Sequence, residues 1–399
     1  MGLIFLIFGV IDITVGRKYI AGVVKRGDFS EPWISLLPQD PREWIASSEE
    51  PAARLLVLST FEDFSSAARR SRTDRKSLLS DPGIKSLIAR LPDWEKEAVV
   101  SGHNSPSFAP NILHLLADLG LGPGDDPQVE RLLDQMLCHQ DSDGRFQSLG
   151  RWRNQPEAQW GSLFCDAHAI AEALLRFGRG SDPRAKRGMD RMAADLGPTS
   201  QGPGWRCRPD PVTGFRGPGR KDDFCPMVTL EALRALARLP EKERPAGCLD
   251  AARTCLRAWR ERNAEKPYMF GHGRQFKIVK WPSFWYDAYR VLDTLSRYPG
   301  LWMGKTARNE DRKALAELTA CLIAYNFDSA GKITPRSCYK GFESFSFGQK
   351  KKPSAVTTAL LCLPLRRLSE LTDEIAAIDI LHLKSSKGGT GTALPPKTA

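Results

Sequence analysis

Apolar residues recur three and four positions apart through most of the chain. In residues 111–119, Ile112, Leu115, Leu116 and Leu119 fall on one face of a helix. The same spacing predicts helices over residues 169–177, 230–239, 289–295 and 359–368, whereas period-two alternation, the strand signal, is rare. The helices fall into a repeat of two. Asp126-Pro127-Gln128-Val129 and Asp182-Pro183-Arg184-Ala185, 56 positions apart, each read as the start of a second helix. Asp caps exposed N–H groups there, and Pro is tolerated at the first helical position. Gly/aromatic loops close the units: Gln140 to Phe146, then Gly202-Pro203-Gly204-Trp205 with its aromatic 59 positions on, and later Phe327 to Ile333. First helices are expected to begin near Pro110, Phe164, Phe224, Phe284 and Pro353. A two-helix unit of about 50–70 residues implies stacked helical pairs. If the stack closes on itself, first helices form an inner wall and second helices an outer one.

Composition agrees with a large folded core. The chain has 399 residues, 41% of them apolar, and a mean hydropathy of −0.35, which argues against a polytopic membrane protein, a fibre or wholesale disorder. The apolar start, residues 2–10, is interrupted at Asp12. It is shorter than the roughly 20 residues a membrane span needs, and it lacks a preceding basic stretch or a clear cleavage motif. It suits a short strand within an N-terminal extension, residues 1–39. The helical unit is expected over 40–375, and the Ser/Gly/Thr/Pro/Lys-rich residues 384–399 read as a disordered tail. Nine cysteines, an odd and irregularly spaced set, point to a reducing compartment, the cytoplasm, rather than to a disulfide framework. The net charge of +11 is spread along the chain and argues against a nucleic-acid partner.

The Gln-x-x-x-Gly-x-aromatic loop ending at Phe146 resembles the repeat of squalene and oxidosqualene cyclases, and the two-helix period resembles that of protein prenyltransferase β subunits. More narrowly, the chain resembles bacterial proteins of prenyltransferase/squalene-oxidase repeats. The matching segments include Phe164-Cys165, Trp205-Arg206-Cys207, Asp223-Phe224-Cys225-Pro226, residues 281–295 and Lys352-Pro353-Ser354; the likeness spans roughly residues 40–371. The resemblance implies an all-α fold, an α/α toroid, that binds or transforms a hydrophobic, isoprenoid-like ligand in a central cavity. Trp205, Phe224, Trp281, Trp285 and Tyr286 gather where inner helices begin and are the candidate ligand-binding aromatics. Bulky aromatics that simply fill the centre of the ring are the other reading.

The catalytic motifs of that superfamily are incomplete. There is no DxDD acid; Asp141 and Asp143 sit in a turn, and Asp125-Asp126 precedes Pro127 as a cap. Prenyltransferases bind zinc through an Asp-x-Cys pair and a His one repeat on. Asp223-Phe224-Cys225 matches the pair and makes Asp223 the candidate catalytic residue, but Tyr286 stands at the His position. A different quartet is a metal candidate: Cys165 and Cys225 at the starts of consecutive inner helices, Cys207 in the loop between them, and His272 in the next loop. Cys₃His is a standard zinc shell, and helix N-termini favour thiolate. Asp166, His168 and Asp223 are alternative ligands or supports, and ordinary buried thiols are the plainer reading. No GxxxxGK[ST] loop is present, so no nucleotide cofactor is expected. Two functions stay open: an enzyme acting on a hydrophobic small molecule, or a non-catalytic toroid that binds a peptide, lipid or carbohydrate, with any zinc structural.

Overall fold

The computed structural model describes residues 10–11, 18–19, 31–60, 68–98, 105–151, 157–212, 214–217, 220–262 and 273–379. Helices dominate them. In chain order they are α1 (Arg42–Ala46), α2 (Pro51–Thr60), α3 (Ala68–Ser80), α4 (Pro82–Ile88), α5 (Ala109–Asp118), α6 (Pro127–Cys138), α7 (Phe164–Arg176) and α8 (Pro183–Ala194). There follow α9 (Pro226–Leu236), α10 (Cys248–Arg260), α11 (Gly273–Lys277), α12 (Ala288–Leu295), α13 (Asn309–Asn326), α14 (Ala355–Arg367) and α15 (Thr372–Ala376). Strands are two or three residues long. Ser148–Gly150 pairs antiparallel with Gln159–Gly161, Gly197–Thr199 with Gly202–Gly204, and Val10–Ile11 with Lys18–Tyr19; Lys280–Trp281 runs parallel to Ser337–Cys338. No helix among the described residues is long and apolar enough to cross a membrane.

The helix starts follow the expected chemistry. The Asp126 carboxylate accepts from Gln128 N–H (2.8 Å) and Val129 N–H (3.2 Å) at the head of α6, and Asp182 accepts from Arg184 N–H (2.8 Å) at the head of α8. The repeat-ending loops share one geometry. Asp141 N–H donates to Arg145 O (2.9 Å) and Gly144 N–H to Asp141 O (3.0 Å); Asp328 N–H donates to Lys332 O (2.8 Å) and Gly331 N–H to Asp328 O (3.1 Å). Asp141 is thus a turn residue, closing its loop through Arg145 N–H (2.8 Å).

First and second helices differ in burial as an inner and outer layer should. All eleven residues of α9 and all eight of α12 are buried, whereas α6 and α8 bury one stripe and expose the other. The first helices touch in succession, α5 to α7, α7 to α9, α9 to α12, α12 to α14, and α14 returns to α1 and α2. The N-terminal side of this junction starts earlier than residue 40. Trp33, Ile34 and Leu37 are core residues, Trp33 N–H donates to Ser369 Oγ (3.3 Å), and Glu31 pairs with Arg366 (3.2 Å). A boundary at residue 40 therefore cuts through a packed unit: the apolar short helix at Pro32–Leu36 needs α15 and its neighbours to cover it. Residues 384–399 lie outside the described residues.

Candidate functional site

Two of the four metal candidates, Cys207 and Cys225, interact directly, and Cys165 neighbours both. Cys165 opens α7 and Cys225 caps α9. Cys225 N–H donates to Trp205 O (2.7 Å), and Thr229 Oγ1 accepts from Trp205 N–H (3.1 Å), which holds the loop carrying Cys207 against the start of α9. The Cys225 thiol donates to Cys207, and Gly217 N–H and the Arg216 guanidinium add to it. Together they bring the Cys207 pKa down to about 6, so a thiolate is favoured at neutral pH. A Cβ at Gly217 would stand 3.0 Å from the Cys207 sulfur, so the loop closes tightly over it. Cys225 is pushed well up by donating to Cys207 and by burial; Cys165 is pushed up by burial and by neighbouring Asp166 and Cys207. His272 lies outside the described residues.

The proposed supports have other partners. Burial raises Asp166 to about 6; it accepts from Ser148 Oγ (3.0 Å) and lies 3.5 Å from the Cys165 sulfur. His168 is lowered to about 4 by burial and spends Nδ1 on Val228 O (3.1 Å), so it is a neutral core imidazole. Asp223, the catalytic candidate, is buried and held by Gln201 Nε2 (2.9 Å) and by Arg220. That engagement anchors the loop that leads into α9.

The candidate aromatics are in the core. Trp205, Phe224, Trp281 and Tyr286 are at most 3% exposed, and Trp285 packs on Tyr286 with ring centroids 4.5 Å apart. Trp205 Nε1–H donates to Met192 O (2.8 Å), tying an inner-rim ring to an outer helix. These rings fill space rather than line it, because the first helices lie close enough to bury one another on all sides.

What occupies the space between the first helices is charge. Near their C-terminal ends, arginines reach back to the preceding first helix: Arg176 to Asp118 (2.6 Å), Arg238 to Glu172 (3.3 Å) and Arg367 to Asp293 (2.8 Å). Arg234 lies 3.1 Å from Glu172 and 3.4 Å from Glu231. Burial works against the charge of Glu172, but Arg234, His114, Arg238 and Arg176 outweigh it and hold the carboxyl at about 2. Glu231, with less compensation, is raised by burial to about 7, and burial lowers His114 to about 3. Among the described residues, His114, Glu172 and Glu231 form a set with one candidate ligand atom from each within 4.8 Å of the others, and this set could hold a metal ion. The thiols form no such set. Arg234 already places a cation against both carboxylates.

Neither of two hollows among the described residues lies between the first helices. One, about 680 Å³, is open to solvent on α6 and is lined by Glu95, Glu130, Asp134 and Cys138 among others. The second, about 10 Å³, lies between Phe146, His168 and Met192. Comparison with protein-family models, curated proteins and solved structures finds no match for the chain. The charged belt was absent from the sequence expectations. Its signal was present: Glu172/Arg176 and Asp293/Arg297 repeat a carboxylate–arginine pair four apart at the ends of apolar helices.

Proposed function

We propose that the protein is an α/α toroid acting as a non-catalytic binding module, rather than a cyclase or prenyltransferase working on an isoprenoid. The observation that carries this is the complete burial of α9 and α12. A helix bordering a substrate cavity keeps one stripe accessible, and a ligand pocket ordinarily offers about 300–1,000 Å³ of mostly apolar space. Here the facing stripes carry Glu172, Glu231, Arg234 and Asp293, paired with one another or with arginines. Incubation of the purified chain with prenyl diphosphates of increasing length is expected to give no cyclised or transferred product. Turnover of any of them overturns the reading.

The convergence of Cys165, Cys207 and Cys225 favours a zinc ion at the rim within the same module. A thiolate at Cys207 is the form zinc takes, and two further thiols deprotonate on binding. A fourth protein ligand would close the shell and make the ion structural. Elemental analysis of protein purified without chelator is expected to find about one zinc per chain. Finding none, with the thiols shown to be reduced, rejects the site.

A further inference from the structure

The loop that carries Cys207 continues into a turn that exposes two large apolar side chains. Val212 is 56% and Phe215 43% exposed. The turn is held firmly. Asp210 N–H donates to Phe215 O (2.8 Å) and Gly214 N–H to Asp210 O (2.9 Å). The buried Asp210 carboxylate accepts from Ser162 N–H (2.6 Å) and Val212 N–H (3.1 Å). Gly214 takes a φ of +66°, the left-handed conformation that lets the chain double back between the two apolar residues. Both side chains therefore stand at the tip of an anchored, convex turn.

The segment of chain that carries it is basic. Residues 206–222 hold Arg206, Arg208, Arg216, Arg220 and Lys221 against Asp210 and Asp222. Asp210 is turned inward, while Arg208 and Lys221 are exposed; Arg220 is exposed as well, with Asp223 as its partner. We infer that this turn docks the protein on an anionic lipid surface, with Val212 and Phe215 entering the interfacial layer and Arg208 and Lys221 facing the headgroups. Two side chains on a convex tip are far too little for a specific protein interface, which takes about 800 Å² from each partner. They suit a deformable layer, where apolar insertion and the attraction of basic residues to negative headgroups add together. The net charge of +11 acts in the same direction at longer range.

The test is sedimentation of the full chain with phosphatidylcholine vesicles, with and without phosphatidylserine. The expected result is binding to the phosphatidylserine vesicles alone, weakened by salt. Val212→Asp with Phe215→Asp, and separately Arg208→Glu with Lys221→Glu, should each weaken it by about tenfold or more. Thermal melting should change little, since all four side chains are exposed and the Arg208 guanidinium lies 5.9 Å from the Phe164 ring centroid. The inference is overturned by no binding, by equal binding to neutral vesicles, or by binding that both pairs of substitutions leave intact. Binding of soluble polyglutamate without vesicle binding would assign the turn to an acidic protein instead.

Discussion

Gly188 shows how closely a repeat-ending loop is fitted to the following outer helix. It lies inside α8, where glycine ordinarily weakens a helix, yet a Cβ there would come 2.5 Å from Phe146 Cε2. The ring of Phe146 is fully buried, and Gln140 Nε2 ties the same loop to Gly144 O and to Arg184 O of α8, both at 2.9 Å. Overpacking outweighs the gain in helix propensity. Gly188→Ala is therefore expected to cost about 1–3 kcal/mol in urea unfolding, and Phe146→Leu in the same chain should recover part of it. Asp126→Ala, which removes two cap hydrogen bonds from α6, should cost about 1 kcal/mol by the same measurement.

Between helices the charged belt is the feature with the largest expected consequences. Glu172 sits on α7 and answers Arg234 of α9 and Arg238 just beyond its end. Glu172→Ala leaves two guanidinium groups without that carboxylate in a buried setting and is expected to destabilise by about 3–5 kcal/mol. Glu172 and Glu231 respond to pH in opposite senses. Glu172 is held below its ordinary value of 4.5, so its contribution is present above pH 4.5 and disappears as pH falls toward 2. Glu231 is raised from 4.5 to about 7, so the folded state holds a proton that the unfolded state releases. Stability from this group is full below pH 4.5 and is lost as pH climbs to 7. Melting temperatures measured between pH 5 and 8 should fall less with pH in Glu231→Gln than in the unaltered chain.

For the molecule as a whole, the contacts from α14 back to α1 and α2, and of Pro32–Leu36 with α15, bring the last repeat against residues 32–60. Opening the packing there exposes Trp33 and Ile34, both fully buried. A zinc bound by Cys165, Cys207 and Cys225 would tie α7 to α9 in the same sense, one repeat to the next. A chelator is then expected to lower the melting temperature of the unaltered chain. Cys225→Ser should lower it too, and the chelator should add nothing further in that variant. A chelator effect equal in both proteins would place the ion elsewhere, with His114, Glu172 and Glu231 the first set to examine.

Helix positions, caps and repeat loops were legible in the chain because each depends on residues within about four positions of one another. Ile112, Leu115 and Leu116 announce α5; Asp182-Pro183 announces α8; Asp141 and Gly144 announce a turn. The nearness of α7 to α9 was legible only through the repeat, which sets consecutive first helices side by side. The content of the centre was not legible. A stripe of Glu172, Arg176, Glu231 and Arg234 on helices of high apolar content looks like any solvated face until the helices pack around it. Only the tertiary arrangement turned those faces inward, removed water, and made Glu172 and Arg176 depend on partners about 60 positions away. The same arrangement decided the aromatics. A ring of Trp205, Phe224, Trp281 and Tyr286 lines a cavity or fills a core according to how near the helices come. That distance is set by all the side chains between them at once, not by any local pattern.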